Sequence, residues 1–212
     1  MNENAPAPRL QQSIITLDVE GVLVPEIWVA VAERTGIEFL TRTTRDEPDY
    51  DVLMTRRLEC LAENGIGLST IQEVIGTLSP LDGADDFLRN LRSTTQVVLL
   101  SDTFEEFARP LMAQLGWPTV LCHRLHISDD TITGYQLRMP DQKRKAVAAF
   151  QSLNYQVAAA GDSYNDTTML GQANAGFLFN APDNVIAEFP QFPACTDYDV
   201  LTEHLFTSLG LA

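Results

Sequence analysis

The 212-residue chain has only three cysteines and three histidines. Cys60, Cys122 and Cys195 are odd in number and widely separated, which excludes a disulfide framework or a cysteine zinc site and leaves buried free thiols. His123, His126 and His204 show no ligand spacing either. Long apolar runs are also missing: the longest, Ile27 to Ala32, is far short of the roughly 20 residues that span a bilayer. Positive charge is scarce, with 14 Lys+Arg against 29 Asp+Glu and a net charge of −15. No extended basic run relieves that balance, so binding to nucleic-acid phosphates or to an anionic membrane surface is excluded. Small molecules and metal cations remain as partners. What is present, 45% hydrophobic and 20% charged residues, is enough for one sizeable core with an insertion, or for one large and one small domain. The segment from Asn2 to Arg9 lacks a basic start and an apolar stretch, so residues 1–13 read as a loose tail and not a signal peptide. A cytoplasmic protein is expected.

Four short apolar runs end abruptly in polar or small residues: Ile14 to Leu17 before Asp18, Val97 to Leu100 before Ser101, Val157 to Ala160 before Gly161, and Gly176 to Phe179 before Asn180. They are too short for helices and do not alternate, as expected of buried parallel strands. Helical spacing lies between them, in Ala84 to Leu91 and after Lys143 through Ala146, Val147, Phe150 and Leu153. The alternation predicts an α/β fold with a doubly wound parallel sheet, whose ligands bind beyond the carboxyl ends of the strands. Residues 14–25 and 84–212 form that core. Residues 26–83 contain no convincing strand and at least three helical stretches, and read as a small helical cap placed over the first strand, able to exclude water. Within it, Ser69 to Gln72 has the form of a capping box, followed by Ile71, Val74, Ile75 and Leu78 on one face. Residues 125–137, around Asp129-Asp130 and Gly134, read as a β-hairpin.

The candidate chemistry sits at the strand ends. Asp18 and Glu20 are two residues apart on an extended segment and point the same way, with Gly21 allowing a sharp turn; the alternative is a solvated acidic loop. Asp162 and Asp166, in Gly161-Asp-Ser-Tyr-Asn-Asp166, offer oxygen ligands suited to Mg2+, or else a helix cap. Ser101 and Lys143 supply a hydroxyl and an ammonium able to hold phosphoryl oxygens. The order Asp-x-Glu, Ser, Lys, Gly-Asp-x-x-x-Asp is more informative than any one of these.

In that order the chain resembles the haloacid dehalogenase superfamily of phosphotransferases over residues 14–198. The stretches Asp18 to Trp28, Pro48 to Met54, Leu100 to Phe104 and Ala160 to Leu170 are similar to its phosphoserine phosphatase branch, in particular to members that also transfer phosphate to homoserine. The resemblance implies that Asp18 is a nucleophile forming an aspartyl-phosphate. It also implies that Asp18, Asp162 and the backbone carbonyl of Glu20 bind Mg2+, with Glu20 as general acid and base. Ser101 and Lys143 would hold the phosphoryl group, with Asp102 and Asn165 beside them in the substrate site. Asp166 would orient Lys143 or a metal-bound water. In the cap, Glu26, Tyr50 and Arg57 fall where this branch binds its amino acid, and the guanidinium and carboxylate suit a zwitterion. Arg56 and Lys145 are neighbouring competitors for the arginine and lysine roles. A homodimer is suggested by the resemblance only.

Two residues depart from the branch pattern. Glu20 replaces the usual Asp, which changes reach more than acidity and favours phosphoryl transfer if hydrolysis is slowed. Asp102 follows Ser101 where glycine is frequent. Dual activity is expected: phosphoserine hydrolysis and phosphoryl transfer to homoserine. Other readings are a phosphatase for another small phosphorylated metabolite, a serine hydrolase built on Gly161-x-Ser163 with His204, and a non-catalytic switch with a phosphorylatable Asp.

Overall fold

The computed structural model describes residues 11–43, 46, 47 and 49–211. Most of the expected tail, residues 1–10, lies outside them, as does Pro48 of the second resemblance motif. A seven-stranded sheet has the order β4-β3-β2-β1-β5-β6-β7. Its strands are β1 Ser13–Leu17, β2 Gln96–Phe104, β3 Thr119–Ser128, β4 Thr131–Gln136, β5 Gln156–Gly161, β6 Ala175–Phe179 and β7 Ala194–Cys195. All neighbours run parallel except β3 and β4, which form the expected hairpin. The fold is therefore doubly wound α/β, and β1 is the switch point: the chain builds outward through β2 and β3, then returns to its other side with β5. β1 begins at Ser13, one residue inside the segment expected to be tail.

The unbroken apolar strands are explained by burial on both faces. Along β5, Val157 and Ala159 join one core cluster while Ala158 and Ala160 join the other. One face is covered by α4 Ala84–Thr94, α5 Glu105–Gln114 and α9 Tyr198–Leu209. The opposite face is covered by α6 Gln142–Ser152, α7 Thr167–Gln172 and α8 Asp183–Glu188, through Ala146, Val147, Leu170 and Val185. Cys60, Cys122 and Cys195 are free, but half-buried where full burial was expected. Among the described residues no helix is long and apolar enough to cross a membrane.

The segment between β1 and α4 holds α1 Ile27–Thr35, a 3-10 turn at Glu38–Thr41, α2 Tyr50–Glu63 and α3 Leu68–Gly76. Asp49 caps α2 by accepting the Asp51 and Val52 N–H groups at 3.0 and 3.1 Å. The capping box expected at Ser69 is not formed. Helix α3 starts two residues earlier than that box requires, at Leu68, and its cap comes from the hairpin: Asp130 accepts the Ser69 N–H at 2.7 Å and hydroxyl at 2.6 Å, and its carbonyl accepts Leu68 N–H at 2.8 Å. Asp129 and Asp130 have φ of 47° and 69°, the left-handed pair of a tight two-residue hairpin turn. Gln72, freed from a capping role, donates to the Glu106 carbonyl at 2.9 Å. That acceptor is available because Pro110, four residues later in α5, has no N–H to take it.

Candidate functional site

A cavity of about 350 Å3 lies over the carboxyl ends of β1, β2 and β5, between the sheet and helices α1 and α2. Its floor is built by chain breaks in the sheet. Asp18 follows β1 directly and its N–H still donates to the Ala160 carbonyl at 3.0 Å, so its position is fixed by the ladder. Ser101 is not at a strand end as expected: β2 continues to Phe104. Its pairing with β3 passes from Leu100–Leu121 to Phe104–His123, so three residues of β2 stand against one of β3. This bulge turns Ser101, Asp102 and Thr103 toward the cavity.

Lys143 enters from the first turn of α6 and is 3% exposed. Its Nζ donates to Asp166 Oδ1 at 2.7 Å and lies 2.9 Å from Asp18 Oδ1 and 3.6 Å from Asp102 Oδ2. Burial alone would lower its pKa, but the charges of Asp166, Asp18 and Asp102 raise it well above the ordinary lysine value, so it stays an ammonium. Lys145 is exposed and takes no part. Asp166 is fully buried. Its Oδ2 accepts the N–H groups of Asp162 and Ser163, both at 3.1 Å, so the capping reading and the Lys143-orienting reading are both true of it.

Asp18, Asp162 and Asp166 can each bring one oxygen within 4.8 Å of the others. Burial, and then Asp166, push Asp18 well above the usual carboxylate range and Asp162 up to about 7. One ammonium does not balance this cluster, and hard oxygen donors short of positive charge suit Mg2+. Asp166 is committed to Lys143 and two amides, so Asp18 and Asp162 are the pair that fits the ion. Gly21 leaves room for it: φ is +76°, and a Cβ there would stand 2.5 Å from Asp162 Oδ2. Glu20 is half-buried. Burial, then the nearby Glu26 charge, raise its pKa to about 7, against the pull of the Ile27 N–H at 2.9 Å and the Thr103 hydroxyl. A carboxyl group near 7 can both give and take a proton at neutral pH.

The opposite wall comes from the helical segment. Arg57 is buried, whereas Arg56 is exposed and pairs with Glu59. The Arg57 guanidinium stacks on the Trp28 ring, 4.5 Å from its centroid, and Nη2 donates to the Arg42 carbonyl at 2.5 Å. Its Nε is buried with no hydrogen-bond partner among the described residues. Burial lowers its pKa to about 10, offset by Tyr50, Glu20 and Glu26, so it remains cationic at neutral pH. Glu26 lies at the exposed rim. The Tyr50 hydroxyl donates to the Asp102 carbonyl at 3.4 Å. All the residues singled out from the sequence except Asp166 line this one cavity.

Sequence reasoning missed His123, Gln142, Thr103 and Trp28. His123 had no partner at ligand spacing, and only the folding of β3 beside the β2 bulge brings its Nε2 to 3.5 Å from Asp102. Trp28 lay within a resemblance stretch but carried no role. The serine hydrolase constellation is not assembled: the Ser163 hydroxyl bonds Asn165 and Asp166, and His204 stacks on Phe177.

Residues 12–174 match the haloacid dehalogenase-like hydrolase family model. The chain is 64% identical over 189 residues to phosphoserine phosphatase ThrH of Pseudomonas aeruginosa, covering 89% of this chain and 92% of that protein. It is 31% identical over 183 residues to phosphoserine phosphatase SerB2 of Mycobacterium tuberculosis, covering 79% of this chain and 44% of that one. A solved phospho-aspartyl intermediate analogue of phosphoserine phosphatase has the same fold, with a TM-score of 0.77 at 17% identity over 92% of this chain and 99% of that one. With its strand order, its floor of carboxylates and these matches, the chain belongs to the haloacid dehalogenase-like hydrolases.

Proposed function

We propose that the chain hydrolyses phosphoserine through a phosphorylated Asp18 and can pass the phosphoryl group to homoserine. The observation that carries this reading is the placement of Lys143, whose Nζ lies 2.9 Å from Asp18 and 2.7 Å from Asp166, in a small cavity whose wall from the helical segment carries Arg57, with Glu26 at the rim. Its charged groups are thus divided between a phosphoryl end and an amino-acid end. Asp18 and Asp162, with the Glu20 carbonyl, would hold Mg2+, which when bound supplies the charge that offsets repulsion between carboxylate and phosphate.

Phosphoserine binds with its carboxylate on Arg57, its ammonium toward Glu26 and its phosphoryl oxygens on Ser101 and Lys143, with Asn165 beside them. An Asp18 oxygen attacks phosphorus, forming the aspartyl-phosphate as the bond to the serine oxygen breaks; Glu20 gives its proton to that oxygen. In the second half Glu20 takes a proton from the incoming hydroxyl while its oxygen attacks phosphorus and Asp18 leaves as a carboxylate. Water as the incoming group gives phosphate. Homoserine, held by the same clamp, gives its phosphate ester, with the high effective concentration of a bound neighbour.

The test is rapid quenching with phosphoserine and Mg2+, followed by peptide mass spectrometry. Phosphate on Asp18, absent in Asp18→Asn, is expected. Turnover retained by Asp18→Asn, or label on another residue, refutes the covalent route. The appearance of phosphohomoserine when homoserine is added tests transfer separately.

A further inference from the structure

The cavity contains a carboxylate that neither the reaction nor the cation site uses. Asp102 Oδ1 accepts Gln142 Nε2–H at 3.0 Å and lies 3.5 Å from His123 Nε2; Oδ2 accepts Asn165 Nδ2–H at 3.0 Å and lies 3.6 Å from Lys143 Nζ. These donors are themselves held in place. The Arg138 backbone N–H donates to His123 Nδ1 at 3.1 Å, which leaves the ring proton on Nε2, facing Asp102. Arg138 Nε donates to Gln142 Oε1 at 3.0 Å, so the amide turns its NH2 toward Asp102 and the Ser101 carbonyl. Asn165 accepts the Ser163 hydroxyl on Oδ1 and spends one N–H on Asp102. Its second N–H is left for the cavity that it lines.

We propose that Asp102, clamped by His123 and Gln142, is a positioning residue that aims the Asn165 amide at the phosphoryl oxygens beside Lys143. The proposal rests on the phosphatase reading above. The two ends of an asparagine amide have nearly the same shape. Asp102 can only accept, so, with the Ser163 hydroxyl on Oδ1, it selects the orientation in which Asn165 presents a donor, and not an oxygen, to phosphate. Asparagine at position 102 could not do this, because one of its ends would set NH2 against N–H donors.

This reading predicts a sign opposite to simple electrostatics. A negative group beside a phosphate site repels the ligand, so its removal alone would tighten binding. If Asp102 aims the Asn165 donor, its removal weakens binding. The experiment uses the full chain with Mg2+ and compares wild type with Asp102→Asn and His123→Phe; the latter keeps a ring against Tyr50 and Phe104 but loses the N–H. Titration calorimetry with inorganic phosphate is run beside phosphoserine kinetics and thermal melting. The Kd for phosphate and the KM for phosphoserine should both rise about tenfold in Asp102→Asn, the value of one lost hydrogen bond, and by less in His123→Phe. kcat should hold, because this donor grips phosphate in ground and transition states alike. Unchanged or tighter phosphate binding overturns the proposal, as does a kcat loss at constant KM. If Asp102→Asn does not fold, His123→Phe decides. Wild type that binds phosphate without hydrolysing phosphoserine sinks the activity reading alone.

Discussion

Replacement of Arg57 should separate recognition of the amino-acid end from phosphoryl chemistry. Its guanidinium is held by the Trp28 face and the Arg42 carbonyl, and its buried Nε has no hydrogen-bond partner among the described residues. A carboxylate taking two guanidinium N–H bonds gains about 1.5–3 kcal/mol from each charge-assisted bond. Arg57→Lys keeps the charge but not the fork, so kcat/KM for phosphoserine should fall roughly ten- to hundredfold, and Arg57→Ala should lose more. Phosphoethanolamine, which lacks the carboxylate, supplies the control: wild type and both variants should hydrolyse it with similar kcat/KM. Arg56→Ala should change either substrate by less than about threefold, because Arg56 is exposed, pairs with Glu59 and does not line the cavity. Melting curves verify that the variants are folded. Equal losses on both substrates, or a larger effect at Arg56, would refute the assignment of Arg57 to the carboxylate.

Chelation of divalent metal should abolish turnover, and Mg2+ should restore it. Burial and Asp166 raise Asp162 to about 7 and raise Asp18 as well, so the folded chain binds these protons more tightly than the unfolded one; the metal-free protein gains stability as pH falls from 8 through 7. Mg2+ should consequently raise the melting temperature more at pH 8 than at pH 6, and equal shifts contradict the site. Gly21→Ala forces a Cβ to 2.5 Å from Asp162 at a φ of +76°, which should cost about 1–3 kcal/mol in denaturant unfolding and increase the Mg2+ needed for half-maximal activity. Asp130→Ala removes the cap of α3 and should lower the denaturant midpoint, with faster amide exchange in α3 as the local readout. Glu20→Asp cannot keep its bond to the Ile27 N–H while reaching the leaving oxygen, and phosphoserine kcat should fall on the order of 100-fold.

The central strands and the cavity floor were legible because both are set locally. Apolar runs ending at Asp18 and at Gly161-Asp162 needed two-sided burial, and their carboxyl ends converge in any doubly wound sheet. Ser101 was found for the right chemistry but placed at a strand end, since a bulge depends on the neighbouring strand's register and not on residues 96–104 themselves. The Ser69 box failed for a related reason. A serine with glutamine three residues on satisfies the local pattern, yet Asp130, 61 residues away, offers a better acceptor, and Gln72 finds a carbonyl that Pro110 leaves open. His123 and Gln142 carried no local signal, because their partners belong to β2 and to the start of β4's following loop.

Those distant partners explain how a small helical segment can govern the reaction beneath it. Glu20 belongs to the core chain, but its carboxyl group is bonded to the Ile27 N–H at the start of α1. Tyr50 at the start of α2 reaches the Asp102 carbonyl, α3 is capped by the hairpin, and Gln72 is anchored on α5. An outward swing of α1, α2 or α3 must break the bonds that helix makes. On the proposed reading, the proton-transfer group Glu20, the Asp102 loop and the Arg57 clamp are each tied to a helix of this segment. On that same reading, a phosphorylated Asp18 beneath seated helices would meet whichever hydroxyl Arg57 and Glu26 hold in place, and the partition between hydrolysis and transfer would follow from how completely that site is filled.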